Sequence, residues 1–226
     1  MAAPVVFAQS PQWGGSVLDI HLHPKRDENG EIKHMDGCGV TKAVILGSVA
    51  LQDQTKSRME QAPGRMALFA SVDVTRSDAI PMLRAAVKAG AIGLGELKSR
   101  VAADGPEMKK VYELAADLGV PVLLHFQDGP KGETYNDGIQ RFGAILKAYP
   151  KTTFIGHANS FWANISTEAP SEIAYPKGPV KRGGVTDRFL SDFPNLYGDL
   201  SANSGRNALA RDPEFAADFL KRHQIS

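Results

Sequence analysis

Short apolar runs recur along this chain, each followed by a longer stretch with helical spacing, and that alternation limits the folds open to it more than any other feature. The runs lie at 17–24, 42–47, 66–73, 91–98, 120–126, 153–158 and 196–201. Between them, 78–89 places Ile80, Leu83, Ala86 and Val87 on one helical face and stops at Gly90. Residues 105–118 open with Pro106 in the first turn, space Met108, Val111, Tyr112, Leu114 and Ala115 along one face, and stop at Gly119. Residues 52–61 are polar and helix-compatible, and 139–149 is helical through Phe142, Ile145 and Leu146. A last helix runs from 214 to 223 behind Asp212-Pro213, with Phe215, Phe219 and Leu220 as its apolar face. Residues 25–39 read as a loop or short helix with His34 toward solvent or making a loop contact, and 127–137 as a glycine-rich polar loop. The long connection 159–186 is expected to be a lid or to hold a short irregular helix.

Seven strand-helix units in succession point to a (β/α) barrel, where functional groups sit at the C-terminal strand ends. The expected fold class is α/β, a (β/α)8 TIM barrel with the eighth strand missing from this chain. Residues 17–226 are expected to form one barrel domain, truncated at its C-terminus, because an open seven-stranded sheet leaves two edges. Residues 1–16 are expected to be a flexible N-terminal segment. Ala2 to Ala8 is read either as the remnant of a signal peptide, which would place the protein in a bacterial periplasm or outside the cell, or as an ordinary terminus of a cytoplasmic one.

The formal net charge of +1 over 226 residues makes no electrostatic case for nucleic acid or membrane binding, and no run approaches the roughly 18 apolar residues of a membrane span. The expected partner is a small-molecule substrate, with assembly into a homo-oligomer left open. A single cysteine, Cys38, excludes an intrachain disulfide and a thiolate-rich zinc site, so any metal must be held by nitrogen and oxygen.

Four of the six histidines fall at strand ends. In the run Val17-Leu18-Asp19-Ile20-His21-Leu22-His23-Pro24, the alternation of a strand puts Asp19, His21 and His23 on one face. The pair reads either as a grip on one metal ion or as two hydrogen-bonded histidines lining a pocket. Glu96 ends the fourth run, with Leu94 and Lys98 on its face, while His125 ends the fifth and His157 the sixth. On a closed cylinder these groups converge on one rim, which favours the metal reading. Neutral imidazole and carboxylate bind zinc, manganese or iron, and a bound ion brings the pKa of its water from about 15.7 to about 7. Glu96 either bridges metals or pairs with Lys98 or an arginine, and Asp19 is expected to accept a hydrogen bond that orients a histidine, or to be simply a buried hydrogen-bond partner, rather than a ligand. Trp162 and Tyr175 either line a pocket or pack, Arg206 is an anion contact or an exposed loop charge, and His223 is expected at the surface.

Taken together, Asp19-Ile20-His21-Leu22-His23, Gly95-Glu96-Leu97-Lys98, Leu124-His125, Gly156-His157 and Tyr197-Gly198-Asp199-Leu200-Ser201 resemble the amidohydrolase superfamily, specifically its amidohydrolase-related branch. The resemblance runs over nearly the whole chain in strand order. It implies that His21, His23, His125 and His157 bind one or two divalent ions, zinc first and manganese or iron as alternatives, with Glu96 or, less readily, Lys98 as a bridge. The family's catalytic aspartate ends strand eight; here the role is carried to Asp199 of strand seven, a position that does not match the pattern. Lys98, Trp162 and Arg206 are the substrate-binding candidates. The implied activity is hydrolysis of an ester, lactone or amide through metal-activated water. Decarboxylation of a small aromatic or related acid is one alternative, and a non-catalytic metal or small-molecule binding protein on the same barrel is another.

Overall fold

A computed structural model describes residues 14–27, 29–129, 133–170 and 173–223. The proposed signal-peptide remnant lies outside the described residues, as does most of the expected N-terminal segment. The seven apolar runs form seven parallel strands, hydrogen-bonded in sequence order: β1 (Val17–Leu22), β2 (Val40–Ser48), β3 (Met66–Ser71), β4 (Gly93–Leu97), β5 (Val122–His125), β6 (Phe154–His157) and β7 (Leu196–Gly198). Helices α1 (Gly30–Cys38), α2 (Gln52–Glu60), α3 (Ala79–Lys88), α4 (Pro106–Leu118) and α5 (Phe142–Ala148) fill the first five crossovers, and α6 (Ala158–Ala163) and α7 (Val185–Asp192) share the sixth. Helices α8 (Ala202–Ala210) and α9 (Pro213–His223) follow β7.

The sheet curls. Among the described residues β1 and β7 are not hydrogen-bonded to one another, yet His21 of β1 and Asp199, the residue after β7, meet at 2.6 Å. Over the described residues the molecule is therefore an open seven-stranded (β/α) barrel whose C-terminal rim is drawn together by side chains.

Strand residues Leu94, Leu97, Val122, Leu124, Phe154 and Leu196 pack in one cluster with the inner faces of α3, α4, α5 and α9. Within it Tyr112, Phe126, Phe142 and Phe154 meet edge to face, with ring centroids 5.0 to 6.2 Å apart. Each such ring contributes about 1.5–3 kcal/mol by leaving water. The buried Tyr112 hydroxyl donates to the Ala103 carbonyl at 2.7 Å, so its polar end is satisfied. Beneath α1 a smaller cluster joins Leu22, Met35, Val40, Ala43 and Ile45. There the buried Glu31 carboxylate accepts from Arg58 at 2.8 Å and from the Lys25 amide at 2.7 Å.

Of four local expectations, two hold and two change. Residues 25–39 hold a helix, with His34 exposed as expected. The connection at 159–186 is mostly structured at its ends, by α6 and the start of α7, and Arg206 sits on a helix, α8, rather than a loop. His223 is not a surface group: its Nε2 pairs with Asp187 at 2.8 Å and its side chain is 7% exposed.

Candidate metal centre

Alternation along β1 delivers His21 and His23 to the rim. His21 Nε2 and His23 Nε2 stand 3.2 Å apart. Glu96 Oε2, carried by β4, lies 3.8 Å from the first and 3.6 Å from the second. Donor atoms of a tetrahedral zinc site with bonds of about 2.0–2.1 Å are separated by about 3.4 Å, so this triangle has the spacing of three ligands to one ion. His23 is the outer member, its side chain 58% exposed, whereas those of His21 and Glu96 are 5% and 10% exposed. An ion there would be reached by solvent over His23.

The remaining groups hold this triangle in place. His21 turns Nδ1 to Asp199 Oδ2 at 2.6 Å, which fixes that nitrogen as the N–H donor and leaves Nε2 with its lone pair. Asp199 is 2% exposed. Its Oδ1 accepts from the Ser201 amide at 2.8 Å, its backbone carbonyl accepts from the Trp162 indole at 2.7 Å, and His157 Nδ1 stands 3.3 Å from Oδ2. On the other side His125 Nδ1 meets Glu96 Oε1 at 2.5 Å, and its Nε2 faces Gln127 Oε1 at 3.0 Å. His125 and His157 are direct partners in the β5–β6 register. His157 Nε2 is 3.8 Å from Glu96 Oε1, and its Nδ1 is 3.2 Å from Ser201 Oγ. Three overlapping groups, His21-His23-Glu96, His21-His157-Asp199 and Glu96-His125-His157, each bring their donor atoms within 4.8 Å and could hold a metal ion.

Charge follows burial and contact. Burial opposes ionisation of Glu96, but the hydrogen bond from His125 and the charges of His125, His21 and His157 outweigh it and bring its pKa down to about 2. Asp199 likewise loses solvation, yet hydrogen bonds from His157 and His21 hold it well below the usual carboxylate range. For His21, burial disfavours the proton and the bond and charge of Asp199 more than restore it, so its pKa rises; in His23 burial prevails and the pKa falls.

All five expected metal residues thus converge, and Asp199 joins them. Asp19 accepts from the backbone amide of His21 at 2.8 Å, not from an imidazole. Trp162 is 2% exposed, so the expected substrate contact is a packing residue that anchors the Asp199 carbonyl. Arg206 is exposed on α8 and is not among the converging groups. Lys98 is exposed, with Nζ 4.8 Å from the centre of the Tyr135 ring. Gln127 escaped the sequence reading, and Ser201 entered it only within the Asp199 motif with no role of its own, although each lies two residues beyond a group it supports.

No family model and no curated protein matches the sequence. Among solved structures, an uncharacterised TIM-barrel protein from Bordetella bronchiseptica superimposes with a TM-score of 0.59 at 14% identity, over 91% of this chain and 80% of that one. The chain has a TIM-barrel fold. At a TM-score of 0.49 stand a protein from Staphylococcus aureus provisionally described as an amidohydrolase (13% identity, 93% of each chain) and a TatD homologue from Escherichia coli K12 (12% identity, 92% of this chain and 95% of that one).

Proposed function

We propose that the chain is a metal-dependent hydrolase that cleaves an ester, lactone or amide bond of a small molecule. The observation that carries this reading is the His21-His23-Glu96 triangle, spaced for one ion, with Asp199 on the far nitrogen of His21. Three protein donors leave room for water and substrate, the arrangement of a catalytic rather than a structural site. When bound, zinc, or manganese or iron in its place, supplies hydroxide at neutral pH and polarises the carbonyl under attack.

The chain's own residues do the rest. His21, His23 and Glu96 bind the ion. Asp199 positions His21 by accepting from Nδ1, and His125 with Gln127 positions Glu96. His157 was expected among the ligands, but its Nε2 faces Oε1, the Glu96 oxygen held by His125 rather than the one in the triangle. We therefore assign His157 to proton transfer. With Nδ1 turned toward Asp199 at 3.3 Å, His157 would take the proton of the attacking water at Nε2 and hand it to the leaving group, a role worth roughly 10²–10⁴-fold in rate.

Metal analysis of the purified protein, before and after zinc or manganese loading, and an ester, lactone and amide panel with and without chelator test the reading. About one ion per chain and a chelator-sensitive hydrolysis are expected. A protein that takes up neither metal, or that hydrolyses equally well in chelator, overturns it. His157→Asn should lower kcat by about 10²-fold or more and leave metal stoichiometry unchanged; loss of the metal in that variant would make His157 a ligand instead.

A further inference from the structure

The rim carries a second feature next to the triangle, a cavity of about 470 Å³ whose walls include Glu96, Lys98, Arg100, Tyr135 and Asp73. Its volume falls within the range of small-molecule sites. Lys98 Nζ lies 4.8 Å and Arg100 Cζ 5.6 Å from the centre of the same Tyr135 ring. The backbone makes this convergence: Ser99, between the two cations, is buried, its Oγ accepting from the Val74 amide at 3.3 Å and its carbonyl from the Asn136 amide at 3.0 Å. Its two neighbours therefore project together into the cavity.

Tyr135 is fixed as well. Its backbone exchanges two hydrogen bonds with Gln127, at 2.8 and 2.9 Å, and its ring meets His125 edge-on at 6.0 Å. One aromatic side chain thus neighbours both the histidine cluster and the cation pair. Among the described residues no carboxylate comes within 4.0 Å of Lys98 or Arg100. Of the two carboxylates lining the cavity, Glu96 is held by His125, Asp73 spends Oδ1 on the amide and hydroxyl of Thr75, and Arg76 is already paired with Asp78.

We infer that Lys98, Arg100 and Tyr135 form an anion subsite, and that the substrate is a small acid. It would place a carboxylate or phosphate on the two cations, a flat or apolar body against Tyr135, and its scissile bond at the Glu96 end. This rests on the hydrolase reading for the position of the scissile bond; the anion subsite itself does not. A guanidinium and an ammonium on one aromatic ring suit a charged head on a compact body, because the guanidinium recognises the oxygens in a plane while the ammonium adds a mobile point charge.

The test uses chelator-treated protein and three probes, benzoate, phenyl phosphate and the neutral benzamide, with binding followed by calorimetry. At least one anion is expected to bind saturably and about tenfold or more tighter than benzamide, with an affinity that falls as salt rises. The double variant Lys98→Met/Arg100→Gln should lose about tenfold or more of that affinity, while its zinc affinity, read by competition with a metal-binding dye, stays within about twofold of the parent. Preference between benzoate and phenyl phosphate identifies the head group. Equal binding of benzamide, undiminished anion binding by the double variant, or no saturable binding of either anion overturns the subsite. Loss of zinc binding in the parent protein would sink the hydrolase reading and leave the anion result standing.

Discussion

His21 presents its two nitrogens to different partners, and Asp199 decides which does what. With Nδ1 committed to Asp199 at 2.6 Å, Nε2 faces His23 and Glu96 as an acceptor. Asp199→Asn keeps the shape but can offer an N–H where His21 needs an oxygen. Metal affinity is expected to fall about 10–100-fold, measured by dye competition, with an unchanged circular dichroism spectrum. Glu96 makes a second prediction at this scale. Its pKa of about 2 in the folded chain lies below the roughly 4.3 of an unfolded glutamate, so its contribution to stability is present above about pH 4.3 and is lost as pH falls toward 2. His21 has the opposite sign: its raised pKa contributes fully below about 6.5 and fades as pH rises through the folded value. The Tm of chelator-treated protein should therefore drop on acidification from about pH 4.3. Glu96→Gln should make that slope shallower, with Asp199 supplying what remains. An unchanged slope would show that Glu96 is not held by its histidines.

At the scale of elements, most of the chain was legible because its strands are short, apolar and evenly placed, and because α3, α4 and α9 bury regular apolar stripes. Helix α8 was not, since Ala202–Ala210 buries only Ser204, Gly205 and Ala208 and so lacks an apolar stripe of large residues. Strand β4 departs from the strict alternation read for it. Its register with β5 shifts between Leu94 and Leu97, and both leucines enter the core while Lys98 turns toward Tyr135. Close backbone approach was equally hidden. A Cβ on Gly184, which precedes α7, would stand 2.2–2.3 Å from the backbone of Asn164 and Ile165, where no side chain can yield. Gly184→Ala should cost about 1–3 kcal/mol or more, a Tm loss of several degrees by circular dichroism. Gly37, inside α1 and exposed, has nothing within 4 Å of its added Cβ. Gly37→Ala should instead stabilise by about 0.5–1 kcal/mol, and opposite signs in the two variants would separate steric from helical effects.

For the molecule as a whole, convergence of the strand ends could be anticipated from topology, but the closing contact could not. His21 and Asp199 are 178 positions apart, and their meeting depends on curvature summed over seven strands. The same geometry leaves β1 with β2 as its sole hydrogen-bonded strand neighbour, and β7 with β6, among the described residues. Apolar side chains are exposed at both margins, Leu18 at 60%, Tyr197 at 38% and Leu200 at 40%. An unpaired edge of this kind templates association with another chain, and a lysine on it is a common block. The chain is accordingly expected to associate with itself as concentration rises, and Leu18→Lys to suppress this. Light scattering over a concentration series should show a rising apparent mass for the parent and a flat one for the variant, at equal zinc affinity and equal circular dichroism. Leu18 lies three residues before His21 and takes no part in the triangle, so a variant that stays monomeric and keeps its metal would separate the role of the edge from that of the site. Equal masses at every concentration would mean that Leu18 does not drive association.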